Sequence, residues 1–333
     1  MGEIRIKSDQ CGVYHLIARV VHRRYLLGEV EREVWVHALH RAACFSGVEV
    51  VTYSVLENHA HILVRIDPRA RECGDAELVR RFEALYGTSR AGWCNLDARG
   101  LEHALAQGET EEAVWLRARL RARMGDVSEF MRTLRQRYTK WYNRTHETAG
   151  TLWAERFRSV LVEDTPWLVG LVAAYIDLNP VRAGLASLPE DYRWSGYAEA
   201  LAGNAGLRES LAWCCPGEGG TKGALARYRL RMLGKGAAAK RDGTGGRVDR
   251  EALLKAYSEG GELKEHELLQ LKARFLSQGL ALGSSEWLRE GGGGRALARL
   301  PRAPAPAPVE AVETISLCVA RRKYRHGGLE LPG

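Results

Sequence analysis

The sequence lacks any apolar run of membrane-spanning length, and its first residues, MGEIRIKSDQCG, contain no apolar core of the kind that a secretory signal needs. It also lacks a Cys-x-x-Cys pair, and its seven cysteines are an odd number. A disulfide framework is therefore not expected, and we predict reduced thiols in a cytoplasmic protein without a membrane partner. No internal repeat is visible, and 333 residues are enough for two domains.

Basic residues outnumber acidic ones in two parts of the chain, residues 201–333 and the window 115–144. Residues 1–200 carry no net charge, so the whole excess of +8 falls within residues 201–333. Within the first part, the window 115–144 nevertheless carries +7. Such a concentration of arginine suits a phosphate backbone, although a solvated helix face explains it equally well.

The first two hundred residues alternate between strand and helix patterns. Branched and aromatic residues predict strands over 13–21, 48–56 and 57–66, with a helix ending near Gly47 between the first two. Further helices are expected over 111–124, from Asp126 onward and over 166–179, where Pro180 stops the last one; a short strand covers 159–162. This order predicts an α+β fold in which an antiparallel sheet has helices packed on one side.

The amino-acid composition of the chain changes near residue 203. Glycine-rich and Pro-Ala stretches separate two amphipathic helical patterns, over 248–260 and 262–283, from a short segment, SSEWLRE. We predict a domain over 1–203 with a helical insertion at 68–126. Residues 204–333 then form a basic, linker-rich helical appendage, which has the character of a helix-turn-helix DNA-binding module.

The segment ENHAHILVRI places two histidines at the start of a strand. In an extended chain His59 and His61 point to the same face, and Ala60 points to the other. Downstream, Tyr175 and Asn179 share one face of a helix, because they are four residues apart. Taken alone, this second pair is equally typical of a core tyrosine and a helix-ending Asn-Pro.

Together the four residues describe an open metal site. Two imidazole nitrogens and an amide oxygen leave positions free on a divalent cation, and Mg²⁺ or Mn²⁺ fits if substrate phosphate oxygens complete the shell. Tyr175 would then face the bound phosphate as a nucleophile.

These motifs resemble the HUH single-strand nucleases. His59-Ala60-His61 is similar to their histidine motif, and YIDLNPVRAG is similar to the tyrosine segment of their single-tyrosine branch. The closest resemblance is to the REP-associated tyrosine transposases, and it takes in YHLIARV, GTLWAERFRSVLVED and DYRWSGY as well. Ala60 is smaller than the family's usual bulky residue, and the stretch 68–126 is longer than in the smallest relatives.

The resemblance implies a ferredoxin-like HUH sheet and a DNA transposase chemistry. His59, His61 and Asn179 match the metal ligands, and Tyr175 matches the nucleophile that forms a 5′-phosphotyrosine on single-stranded or hairpin DNA. The enzyme would act as a monomer or a homodimer. We expect the DNA to be contacted by Arg132, Arg135, Arg137, Tyr138, Lys140, Arg144, Arg158 and Arg182.

Several alternatives stay open. Tyr138 is a rival nucleophile, but the position four residues on is Tyr142 rather than Asn, and its aromatic neighbours also suit a core-facing helix. His15 lies on the first strand and is more typical of a satisfied core or surface histidine than of a ligand. The chain is alternatively a DNA-binding protein with an inactive site, or a metallohydrolase that uses a metal-activated water.

Overall fold

A seven-stranded sheet forms the centre of the computed structural model, which describes residues 5–236, 279–300, 304–308 and 317–320. The strands are β1 (Gly12–Arg19), β2 (Val48–Val55), β3 (His59–Ile66), β4 (Arg158–Val162), β5 (Ala281–Ser284), β6 (Pro306–Pro308) and β7 (Leu317–Ala320). They lie in the order β2-β3-β1-β4-β5-β7-β6. The fold is α+β, and the four strands predicted within residues 1–200 are all present.

The sheet is mixed, so the prediction of a purely antiparallel sheet is wrong. Strands β1 to β4 pair antiparallel, but β5 runs parallel to β4. A parallel neighbour needs a crossover instead of a hairpin, and more than a hundred residues separate β4 from β5. Local patterning carries no signal for a partner so far along the chain.

Twelve α-helices lie within the described residues. They are α1 (Glu29–Ser46), α2 (Asp75–Tyr86), α3 (Ala98–Ala106), α4 (Glu111–Arg121), α5 (Val127–Thr145), α6 (Pro166–Asp177), α7 (Asn179–Arg182), α8 (Gly196–Ala202), α9 (Ala205–Trp213), α10 (Gly220–Gly236), α11 (Ser285–Arg289) and α12 (Gly292–Ala298). As predicted, α5 starts at an Asp126 cap, whose side chain accepts from the backbone N–H groups of Ser128 and Glu129. None of the described helices is long and apolar enough to cross a bilayer.

Helices cover both faces of the sheet, which corrects the expectation of helices on one side. The successive residues Thr52 and Tyr53 of β2 point to opposite faces. The Tyr53 ring meets His40 of α1 with centroids 5.8 Å apart, whereas the Thr52 hydroxyl donates to Asp177 of α6 at 2.8 Å. Strand β1 is buried on both faces, and such a strand needs apolar cover on each side.

The helical insertion has a hydrophobic cluster of its own. Helices α2, α3 and α4 bury Phe82, Leu101, Leu116 and neighbouring side chains against Phe45 of α1. The predicted helical character of residues 68–126 is therefore present, and α4 begins at the predicted Glu111.

The main core continues past residue 203, where the sequence predicts a domain boundary. Leu211 of α9, Tyr228 of α10 and Leu282 of β5 are all buried within the same core as the sheet. The predicted helix at 248–260 lies outside the described residues, as does most of the one at 262–283, so the helix-turn-helix prediction is not addressed. Residues 281–283 of that second segment belong to β5 instead of a helix.

Candidate active site

The paired histidines of β3 point to one face of the sheet, as the strand pattern predicts. The ring centroids of His59 and His61 are 5.0 Å apart. His61 is 4% exposed, and His59 is half-buried at the start of the strand. The two imidazoles are therefore fixed by the sheet and shielded from most of the solvent.

Tyr175 reaches the same face from α6. The Thr165 side chain caps this helix and Pro166 occupies its first turn, so its start is defined locally. Two residues before its other end, the Tyr175 ring packs edge-on against His61, with centroids 5.9 Å apart. The structure thus brings together a histidine pair and a tyrosine that are more than a hundred residues apart in sequence.

His15 completes the cluster and was underrated by sequence reasoning. It is fully buried on β1, its Nε2 lies 2.8 Å from Nδ1 of His61, and its ring centroid is 6.0 Å from that of Tyr175. The hydrogen bond engages Nδ1 of His61, and when Nδ1 is the donor, Nε2 carries the lone pair that a metal ligand needs. Its position in β1 could have indicated this, because alternate residues of that strand point to the same face of the sheet as His59 and His61.

Both histidines of β3 are held in the neutral form. Burial, followed by the nearby charges of Arg19 and Arg23, lowers the pKa of His59 to about 4. Burial and the neighbouring histidines hold the pKa of His61 well below its usual value. The Nδ1 atom of His59 lies 2.6 Å from Oδ1 of Asn58, so it donates a proton there and leaves Nε2 as an acceptor. Neutral imidazoles with a lone pair on Nε2 are the form that binds a metal ion.

Asn179 follows the tyrosine by one turn, but the helix does not stop as predicted. Helix α6 ends at Asp177, Leu178 keeps helical dihedral angles, and α7 begins at Asn179 with Pro180 in its first turn. Proline is tolerated there because first-turn N–H groups need no partner within the helix. Helix α6 thus ends within two residues of the predicted end, but Pro180 lies in the first turn of a further short helix instead of ending the helical segment.

The amide of Asn179 fits an oxygen-donor role. Its Nδ2 atom is buried without a hydrogen-bond partner. Rotation of the amide by half a turn would place Oδ1 at that buried position, where it would lack a partner within the protein. Such an oxygen, with the two Nε2 atoms, is a donor set that suits Mg²⁺ or Mn²⁺ when substrate oxygens are added. Within the described residues no three His, Cys, Asp or Glu side chains form a metal cluster by themselves.

Arginines surround the cluster. Arg19 pairs directly with His59 across β1 and β3, and directly opposed residues share a face, so the two side chains are neighbours. By the same logic Arg158 of β4, opposite Ile17, lies on the histidine face. The Arg182 guanidinium lies 5.2 Å from the centre of the Tyr175 ring. Burial lowers the pKa of Arg182, an effect that Tyr175 opposes.

This positive field favours an anionic substrate such as a phosphodiester. Arg158 and Arg182 were predicted to contact DNA, and both lie near the cluster. Arg19 and Arg23 were missed. The signal for Arg19 was its even spacing from His15 along a strand.

Tyr138 is not available for DNA stacking or nucleophilic attack, which corrects its predicted role. It is 1% exposed, packs against Trp35 of α1, and donates its hydroxyl to the carbonyl oxygen of Glu31 at 3.0 Å. Helix α1 covers the sheet face opposite Tyr175, so Tyr138 also lies on the wrong side. The core-facing alternative explains why aromatic residues recur along α5.

Some of the basic residues predicted to contact DNA from α5 are bonded to other parts of the protein, whereas others are exposed to solvent. Arg135 donates to the carbonyl oxygen of Glu155 at 2.6 Å, and Arg137 donates to that of Leu85 at 2.9 Å, so both support the fold. Arg132 forms an ion pair with Glu129. Lys140 and Arg144 are exposed. Sequence reasoning recognised the charge of α5 but could not separate these two groups.

Comparison with solved structures finds distant structural likenesses. A solved structure described as a REP-associated tyrosine transposase bound to a REP hairpin aligns with 61% of this chain and 87% of its own, at 16% identity and a TM-score of 0.39. No family model and no curated protein matches the sequence.

Proposed function

We propose that this protein is a metal-dependent endonuclease and strand transferase for single-stranded DNA, with Tyr175 as its nucleophile. The observation that carries the proposal is the convergence of Tyr175, His61 and His15 on one face of the sheet, beside His59. A tyrosine merely filling the core has no need of neutral histidines and arginines around its ring. Hairpin or repeat DNA is the expected substrate, as in the family that the sequence motifs resemble.

His59, His61 and Asn179 are the residues that would hold a Mg²⁺ or Mn²⁺ ion. When bound, the ion would offset negative charge on the scissile phosphate. Burial keeps both imidazoles neutral, and the hydrogen bonds that their Nδ1 atoms make to His15 and to Asn58 leave the Nε2 atoms to face the ion.

The proposed chemistry exchanges one phosphate ester for another. The Tyr175 Oη atom gives up its proton and attacks phosphorus, the Oη–P bond forms, and the P–O3′ bond breaks. The departing 3′ oxygen takes up a proton, and the 5′-phosphate stays on the tyrosine. The reverse attack by another strand's 3′-OH then joins DNA without a nucleotide cofactor, because the ester bond is conserved.

The arginines have a defined role in this step. Arg182, whose guanidinium lies close to the Tyr175 ring, attracts the incoming phosphate. Arg19 and Arg158 extend the positive surface along the strands on the histidine face, where the DNA backbone would pass.

Incubation with labelled single-stranded hairpin DNA and Mn²⁺ tests the proposal. We expect a covalent protein–DNA adduct on a denaturing gel, lost in Tyr175→Phe and retained in Tyr138→Phe. Peptide mapping should find the modification on Tyr175. DNA cleavage that survives in Tyr175→Phe would indicate a metal-activated water instead, and DNA binding without any cleavage would indicate an inactive DNA-binding protein.

A further inference from the structure

A cavity of about 430 Å³ lies between α4 of the insertion and α5. It shares no residue with the histidine–tyrosine cluster. It is lined mainly by Arg119 of α4, Arg123 just after that helix, Arg132 and Arg137 of α5, and the rings of Tyr86 and Trp93. We call it the insertion cavity. Four guanidinium groups around one opening make it a candidate site for anions.

Most of its positive charge is not neutralised by the protein. Arg132 is ion-paired with Glu129, the one carboxylate that lines the cavity. Arg119, Arg123 and Arg137 form no ion pair with any carboxylate among residues that the structure describes. Burial lowers the pKa of Arg137, Tyr86 opposes this effect, and the nearby charges of Arg41 and Arg123 add to it. An anion placed here would relieve this mutual repulsion.

Two of these arginines are held in place before any ligand arrives. Arg123 donates to the Tyr86 hydroxyl and to Oγ1 of Thr133, both at 3.1 Å. Arg137 is fixed at the carbonyl oxygen of Leu85, and its guanidinium lies 5.0 Å from the centre of the Tyr86 ring. Such preorganisation lowers the entropic cost of binding, and a fixed planar guanidinium is well suited to phosphate oxygens.

Two tryptophan rings, Trp93 and Trp115, lie beside the arginines. The Trp93 ring lines the cavity and lies 5.6 Å from that of Trp115, which is 49% exposed on α4. Exposed tryptophan is unusual on a protein surface, whereas aromatic rings next to arginines are typical of surfaces that stack the bases of single-stranded nucleic acid.

We propose that the insertion cavity is a second DNA-binding site, which takes backbone phosphates of single-stranded DNA between its arginines and stacks a base on Trp93 and Trp115. The inference rests on the proposed function for its choice of DNA, but not on the chemistry of Tyr175. A strand engaged at the tyrosine would thus have a second anchor on the helical insertion.

Fluorescence anisotropy of a labelled single-stranded oligonucleotide, measured without metal over a salt series, tests the charge. Arg119→Gln is the informative variant, because Arg119 is exposed and its removal disturbs no hydrogen bond or ion pair among the described residues. We expect a several-fold loss of affinity and a logarithmic salt slope that is shallower by about one. Arg99→Gln is the matched control: Arg99 is also exposed, lies on α3 of the same insertion, and does not line the cavity.

The Trp115→Ala variant tests the stacking. We expect affinity to fall about fivefold or more at every salt concentration, with an unchanged salt slope, because stacking releases no counterions. The proposal is overturned if Arg119→Gln and Arg99→Gln behave alike, or if Trp115→Ala binds as tightly as the unmodified protein.

The adduct assay separates this inference from the proposed function. If the Tyr175 adduct forms but the cavity variants bind DNA normally, the second site is wrong and the proposed function stands. If the variants lose affinity but no adduct ever forms, the site stands and the tyrosine chemistry is wrong. A protein that binds no single-stranded DNA overturns both.

Discussion

At the scale of single residues, His15 positions its neighbour His61. It is fully buried, and its hydrogen bond orients the ring of His61. If His61 binds a metal, the loss of such a partner typically weakens metal affinity by about 10- to 100-fold. We therefore expect His15→Ala to bind Mn²⁺ that much more weakly in a calorimetric titration. His37→Ala, which changes an exposed histidine of α1, is the control, and equal affinities in the two variants would contradict the role of His15.

Asp177 is a fully buried carboxyl group that links α6 to its surroundings. It accepts from the hydroxyls of Thr52 at 2.8 Å and Tyr228 at 2.6 Å, yet burial raises its pKa to about 7. The folded protein therefore holds this proton in a range where the unfolded chain has lost it. As pH rises from about 4 to about 7, the free energy of unfolding should fall on this account by up to roughly 4 kcal/mol.

The Asp177→Asn variant isolates that effect. An amide does not titrate, so the difference in the free energy of unfolding between Asp177→Asn and the unmodified protein should shift in the variant's favour as pH rises, and then level off above about pH 7. Denaturant titrations at several pH values measure this difference. A difference that is constant with pH would mean that Asp177 is already ionised in the folded protein.

The sequence predicted the histidine pair and the tyrosine because each prediction needs only local geometry. Alternation in a strand puts His59 beside His61, and one helical turn separates Tyr175 from Asn179. It could not show that Tyr138 is buried on the opposite face of the sheet, or that His15 joins the cluster. Those roles depend on which face of an element is covered by another, and that is decided by contacts between residues far apart in the chain.

At the scale of elements, the start of α8 packs directly on β2. A Cβ atom added at Gly196 would lie 2.4 Å from the Thr52 hydroxyl and 2.8 Å from the Thr52 Cα atom. Gly196→Ala should therefore push α8 away from β2 and destabilise the protein by about 1–3 kcal/mol in denaturant unfolding.

Gly206→Ala is the matched control for this close approach. Its added methyl group would meet only Oδ1 of Asn204, at an ordinary 3.6 Å, within helix α9. This change should be neutral or slightly stabilising, because alanine has the higher helix propensity. Equal destabilisation in the two variants would mean that the contact between α8 and β2 is not tightly packed.

Elements with strong local signals were predicted, and elements that depend on distant partners were not. Strands β1 to β3 have branched residues throughout, and α6 has a capping threonine and a first-turn proline. The strand at 281–284 reads ALGS and continues an amphipathic helical pattern, so nothing in it indicates a strand. Its conformation follows from pairing with β4 and β7.

At the scale of the whole molecule, composition and core disagree about where the first unit ends. The change to glycine-rich sequence near residue 203 predicts a boundary, because such segments usually connect domains. Yet α9 and α10 bury Leu207, Leu211 and Met232 in the main core, and Tyr228 donates to Asp177 on the tyrosine helix. Glycine content reports how a connection is made, whereas burial determines which residues fold together.

Two truncated chains distinguish these views. Chains that end after residue 203 and after residue 236 both lack β5, β6 and β7, so they differ only in α9, α10 and the short connections. Without these helices, apolar side chains of α6 that pack in the same core become exposed, and Asp177 loses the hydroxyl donor Tyr228. We expect the shorter chain to unfold at a lower urea concentration, and less cooperatively, when followed by circular dichroism. If both chains unfold with the same midpoint and slope, the domain boundary lies at residue 203, and α9 and α10 do not stabilise the domain that precedes them.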